Sequence, residues 1–170
     1  LIIGLVSISV FAYLQHPKFG RKPQGTRLER MKLSPHFRDG VFHNLSNTPV
    51  MAEGVSYLSV VWDFIFKKVP NAKPEVAIPS VKSDLKQLDL NKDVVIWFGH
   101  SSYFIQLAGR RFLVDPVFSG AASPVSFTTK AFDGANTYSA EDMPQIDYLI
   151  ITHDHWDHLD YETILKLKSK

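Results

Sequence analysis

Tyr148-Leu149-Ile150-Ile151-Thr152-His153-Asp154-His155-Trp156-Asp157-His158 is the stretch on which the reading of this chain turns. Four apolar residues run without a break into three histidines and two aspartates. A short apolar run of this kind reads as a buried strand. Residues 153–158, directly after it, have the pattern His-x-His-x-Asp-His. A charged, solvated loop is the alternative, but an apolar strand ending in four potential metal ligands calls for a reason, and such clusters mark functional sites.

The spacing carries chemistry. In an extended segment, residues two apart point the same way, so His153 and His155 can grip one cation together. The chain then turns toward a helix, and Asp157 and His158 face elsewhere, where they can serve a second ion. Imidazole nitrogen and carboxylate oxygen suit zinc, and also iron or manganese. The chain has no cysteine, which excludes thiolate ligands, disulfides and a cysteine nucleophile. Two ions about 3.5–4 Å apart can share a hydroxide activated for attack at neutral pH. Asp157 could hold that hydroxide in line and then pass a proton to the leaving group. Asp154 reads as a solvated or supporting group. Trp156, between ligands, either packs or faces a substrate.

Working outward, residues 94–98, 103–107 and 112–114 read as strands. A break at Gly99-His100-Ser101 and a tight turn at Ala108-Gly109 separate them. His100 follows a strand beside a glycine, where backbone can approach a ligand closely; it is either near the site or a plain loop histidine. Asp115 precedes a proline at a strand end. It either supports the ligand loop through hydrogen bonds or simply forms a turn. Residues 161–168 read as a helix, with Ile164, Leu165 and Lys168 periodic.

These strings carry a resemblance. His153-x-His155-x-Asp157-His158 after a strand is similar to the metal-binding signature of the metallo-β-lactamase superfamily. Trp97-Phe98-Gly99-His100-Ser101-Ser102 and Phe112-Leu113-Val114-Asp115-Pro116-Val117-Phe118-Ser119 resemble the domain start of its N-acyl-phosphatidylethanolamine-hydrolysing phospholipase D and RomA-like subgroup. Arg27-Leu28-Glu29-Arg30 and Ser34-Pro35-His36-Phe37-Arg38-Asp39-Gly40 resemble the N-terminal arm of RomA-like members. The resemblance implies an α/β (α+β) αββα sandwich, of which this chain holds the first half. It places His153 and His155 on a first metal, Asp157 and His158 on a second, two zinc ions in a complete site, and Asp115 as a strand-end support. The family's remaining ligands, further histidines and a bridging aspartate, would come downstream.

Both chain ends read as internal to a longer protein. Residues 1–14 carry no charge. That run is short of the roughly 20 residues of a full membrane crossing; it reads as the remnant of an anchor or signal, or else as a buried strand. Lys18, Arg21, Lys22, Arg27, Arg30 and Lys32 come next. By the positive-inside rule they place the catalytic domain in the cytoplasm, attached to a membrane. Residues 16–49 read as an irregular arm in which His36 and His43 are surface histidines. Residues 53–69 are helical in pattern, suited to a core or a membrane surface, and Pro70 stops them. The expected organisation is residues 1–16 as anchor or signal remnant, 17–92 as an arm with one helix, and 93–170 as the first half of the metal-binding domain.

The composition is that of a folded protein, with 45% hydrophobic and 21% charged residues. A formal net charge of +2, without basic runs interleaved with aromatics, gives no basis for a nucleic-acid partner. Nothing fixes the oligomeric state. The leading expectation is a metal-dependent hydrolase acting on a phosphodiester, such as that of an N-acylated phosphatidylethanolamine, in a phospholipase D manner. A lactonase or another hydrolase of the same fold is the alternative, with a small-molecule substrate. A membrane-anchored scaffold without turnover is the non-enzymatic one.

Overall fold

A computed structural model describes residues 2–170; Leu1, the start of the apolar run, lies outside the described residues. The chain is mixed α/β and divides into two compact units, Leu1–Ala72 and Lys73–Lys170.

The first unit contains helix α1 (Ile2–Leu14), helix α2 (Gly25–Lys32), strands β1 (Phe37–Arg38) and β2 (Val41–Phe42) paired as a hairpin, and helix α3 (Tyr57–Phe66). The apolar run is therefore a helix, not the strand that its β-branched content allowed. Its large apolar side chains are exposed, with Ile3 at 83% and Phe11 at 67%. Among the described residues no helix is long and apolar enough to cross a membrane. Helix α3 starts where the Ser56 hydroxyl accepts the Ser59 N–H at 3.1 Å, a standard N-cap. It ends at Phe66, well ahead of Pro70, because Lys67 already has extended backbone. Helix α2 and the β1–β2 hairpin occupy the arm expected to be irregular.

The second unit is built on one four-stranded sheet in the order β3 (Val94–Gly99), β4 (Ser102–Leu107), β5 (Arg110–Val114) and β6 (Tyr148–Ile150). The first three strands are antiparallel, and β6 joins β5 in parallel. Ile96, Phe104, Leu113 and Leu149 are successive register partners and so share a face. Leu113 on that face packs with Leu85, Tyr138, Ala140, Met143 and Leu167. Full burial of a side chain such as Phe104 or Leu113, each 0% exposed, stabilises the fold by about 1.5–3 kcal/mol. The opposite face carries Val95, Ile105, Phe112 and Tyr148 in register. It is open, with Val95 69% and Tyr148 52% exposed.

Strand β6 is not buried as its apolar run suggests: Tyr148, Leu149 and Ile150 are all exposed. Among the described residues it is an edge strand, paired with β5 alone.

Residues 73–92, expected to belong to the arm, are part of the second unit. Leu85 is in its core, Ser80 Oγ donates to Gly134 O at 2.6 Å, and Ser83 N–H donates to the Tyr138 hydroxyl at 2.8 Å. Helix α4 (Tyr161–Leu167) closes the chain. Its cap Asp160 accepts from Glu162 N–H through Oδ1. Through Oδ2 it accepts from Ser119 N–H at 2.9 Å and the Thr163 hydroxyl at 2.6 Å, tying the helix start to the loop after β5.

Candidate metal centre

Three chain segments meet at the C-terminal ends of β5 and β6 and the β3–β4 turn. The end of β5 supplies Asp115, which is 1% exposed with left-handed backbone at φ 42°. Its N–H donates to Ile150 O at 2.9 Å, extending the parallel pairing by one residue. Its Oδ1 accepts the Thr152 N–H at 2.8 Å, and its Oδ2 accepts the Thr152 hydroxyl at 2.6 Å. The same Oδ2 lies 2.8 Å from His158 Nδ1. Ser102 Oγ closes the arrangement by donating to Asp115 O at 2.6 Å. Burial pushes the Asp115 carboxyl up, but the hydrogen bonds from Thr152 and His158 outweigh it and hold the group below its ordinary value. Asp115 therefore stays ionised and fixes His158 with Nδ1 as donor, leaving Nε2 as the free lone pair.

The histidine string bends at Asp154 and His155 and turns at residues 156–158, where an extended start was expected. After His155 the backbone tightens, with His158 and Leu159 N–H both donating to His155 O. This turn brings the rings of His153 and His158 to 3.9 Å and those of His153 and His155 to 4.6 Å, centroid to centroid. His153 and His155 are exposed, while Asp157 and His158 are half-buried. Asp154 is exposed and Trp156 is half-buried.

His100 comes from the β3–β4 turn. Gly99 at φ 109° and His100 at φ 46° reverse the chain, a region of backbone that costs a non-glycine residue about 1–2 kcal/mol. The outcome is His100 Nε2 2.8 Å from Asp157 Oδ2, with the Ser101 hydroxyl donating to Asp157 O at 3.2 Å. His158 Nε2 lies 3.6 Å from the same Oδ2. Burial raises the Asp157 carboxyl; the hydrogen bond from His100 and its own backbone N–H help to outweigh that, leaving it below its ordinary value.

Among the described residues, one donor atom each from His100, Asp157 and His158 lie within 4.8 Å of one another, close enough to hold one ion. His153 and His155 adjoin this group through their ring contacts. All six residues singled out in the sequence thus fall in one neighbourhood. His100, read from the sequence as near the site or a plain loop histidine, joins Asp157 and His158. Thr152, Ser101 and Ser102 received no role from the sequence. Their one visible signal was position, a hydroxyl immediately beside each histidine-bearing turn.

A groove of about 680 Å³ opens beside Asp157 and His100. Trp97, Phe98 and Tyr138 are on its wall, as are residues of the 78–81 and 120–137 segments.

The family model for the beta-lactamase superfamily domain matches residues 94–167. An uncharacterized protein of Mycobacterium tuberculosis (strain ATCC 25618 / H37Rv) is 31% identical over 135 residues, covering 79% of this chain and 36% of that protein. N-acyl-phosphatidylethanolamine-hydrolyzing phospholipase D 1 of Caenorhabditis elegans is 34% identical over 73 residues, 43% of this chain and 20% of that protein. A metal-dependent hydrolase of Caldivirga maquilingensis is 33% identical over 63 residues, 37% of this chain and 22% of that protein. The chain spans about a third or less of the length of these relatives.

Proposed function

We propose, from the premise that residues 94–167 belong to the beta-lactamase superfamily domain, that this chain carries part of the catalytic site of a metal-dependent hydrolase acting on phosphodiesters. The observation that carries the reading is the joint presentation of His100, Asp157 and His158 donor atoms within 4.8 Å, beside His153 and His155. The donor set fits a hard-to-borderline divalent ion, with zinc first and iron or manganese next. His153, His155, Asp157 and His158 are the protein ligands in this reading.

Bound cations would supply Lewis acidity and a water activated for attack at neutral pH. The chain's own residues do the rest. Asp115 orients His158 so that Nε2 faces the cluster. Held ionised, Asp157 is better suited to hold a cation than to donate a proton. His100, at 2.8 Å from Oδ2, holds that carboxylate in place.

The phosphodiester preference, and N-acylated phosphatidylethanolamine as its instance, are supported by similarity to the nematode phospholipase D over 43% of the chain. We further infer membrane association through α1, whose apolar side chains are exposed, with the catalytic unit on the cytoplasmic side. The test is turnover by the metal-loaded protein of a phosphodiester and of a lactone, in parallel with the His155→Ala variant. Phosphodiester hydrolysis lost in the variant supports the proposal. Lactone hydrolysis alone would transfer the reading to a lactonase, and bound metal without turnover of either would leave the scaffold reading.

A further inference from the structure

Three side-chain atoms crowd the Thr152 hydroxyl. Asp115 Oδ2 lies at 2.6 Å, His153 Nδ1 at 3.1 Å and His158 Nδ1 at 3.2 Å. A hydroxyl has one proton to give and two lone pairs to offer, so the three contacts cannot all run the same way.

The hydroxyl proton goes to Asp115. A separation of 2.6 Å is that of an O–H donating to a carboxylate, and the same two oxygens without a proton between them would repel. His158 has a nearer acceptor than the hydroxyl. Its Nδ1 is 2.8 Å from Asp115 Oδ2, and that contact takes its proton. His153 Nδ1 therefore meets the lone pairs of Thr152 Oγ1. An unprotonated Nδ1 there would set lone pair against lone pair, so Nδ1 carries the proton and Nε2 keeps the lone pair.

The backbone makes the hydroxyl a separate connection. Asp115 Oδ1 accepts the Thr152 N–H at 2.8 Å, which holds the main chain of Thr152 independently of its side chain. His153 is exposed, and its ring contacts to His155 and His158 do not choose between its two nitrogens.

We propose that Thr152 is a positioning residue: its hydroxyl passes the Asp115 charge on to His153 and holds that ring with Nδ1 protonated and Nε2 open. One buried carboxylate thereby sets the tautomer of two rings, His158 directly and His153 through a hydroxyl. The use of the open Nε2 as a metal ligand rests on the hydrolase reading; the tautomer itself does not. Serine at 152 can replace both the donor and the acceptor, whereas valine keeps the branched shape and supplies neither.

The test is imidazole nitrogen NMR of the metal-free full-length protein at about pH 9, where an ordinary histidine is neutral. Wild type, Thr152→Val and Thr152→Ser are compared, with the His153 signals assigned through His153→Gln. A competitive zinc titration and urea unfolding of the same proteins run alongside. Wild-type His153 is expected to carry its proton on Nδ1, Thr152→Val to lose that preference, and Thr152→Ser to restore it. Zinc affinity is expected to fall about tenfold or more in Thr152→Val, the loss that follows removal of a ligand's hydrogen-bond partner, and to return to within about threefold of wild type in Thr152→Ser. A wild-type His153 protonated on Nε2 overturns the inference, whether or not either variant folds. Thr152→Val with a lower urea midpoint but an unchanged tautomer overturns it too, leaving the hydroxyl a structural role alone. The expected tautomers in a protein that binds no zinc support the role of Thr152 and overturn the metal reading instead.

Discussion

His158 Nδ1 lies 2.8 Å from Asp115 Oδ2, a carboxylate that is also held by the N–H and hydroxyl of Thr152. One buried charge therefore sets the ring orientation of a candidate ligand and the path of the chain that leads into the histidine string.

Replacing that charge tests the relationship. Asp115→Asn is the appropriate change, because asparagine tolerates the left-handed backbone at φ 42°. It is expected to weaken zinc binding about 10- to 100-fold, and to lower stability by about 1–3 kcal/mol through imperfect pairing of buried partners. Competitive zinc titration and urea unfolding measure the two effects. Unchanged zinc affinity would show that His158 does not depend on Asp115.

His153 and His155 behave differently from Asp115 because they are exposed. His155→Ala should leave unfolding free energy within about 0.5 kcal/mol of wild type, while lowering zinc affinity and removing turnover. A thermal melt run beside a metal titration separates the two. A variant that unfolds, or one with wild-type turnover, would contradict the proposed role.

Much of this centre is legible in the sequence because its logic is local. The string from His153 to His158 encodes a turn after strand β6, and the structure has it, although the backbone already bends at Asp154 and His155. Strands β3, β4 and β5 arise from apolar runs separated by Gly99-His100 and Ala108-Gly109. What sequence hides is long-range. His100 meets Asp157 across 57 positions, and no periodicity announces that pairing. Strand β6 is as apolar as a central strand yet lies at an edge, which only the sheet order reveals. Residues 73–92 are rich in proline and polar groups, and read as arm. Leu85, Ser80 and Ser83 nevertheless tie them into the core of the second unit. Helix α2 is short, with Leu28 and Met31 as its only large apolar residues, too few for a period to stand out.

Asp142 provides a pH-dependent prediction away from the metal ligands. Burial raises its carboxyl, but Lys82 and the hydroxyl and N–H of Ser139 hold it below its ordinary value. A carboxyl lowered in the folded state contributes stability that is present above its unfolded value. That contribution is lost as the pH falls from about 4 through the lowered folded value. Urea midpoints of wild type and Asp142→Asn are therefore expected to differ most at neutral pH and to converge in acid. A difference that is constant from neutral to acid pH would contradict the assignment.

Gly134 fixes the wall of the groove. It combines φ 83° with a Cβ position 2.2 Å from Ile78 O, so Gly134→Ala is strained and must displace the 78–81 segment. Left-handed backbone alone costs alanine about 1–2 kcal/mol. A destabilisation of at least that size is expected in urea unfolding, with faster amide exchange at Ile78. Wild-type stability and exchange would show that the two segments are not tightly apposed.

The central claim is that side chains around residues 153–158 converge on cations. The most direct measurement is the equilibrium zinc content of the dialysed protein, compared with that of a His153→Ala, Asp157→Asn double variant. With the downstream segment that supplies the remaining ligands present, the account predicts zinc retained by the wild-type protein and lost from the double variant with its fold intact. Equal zinc content in the two proteins would contradict it.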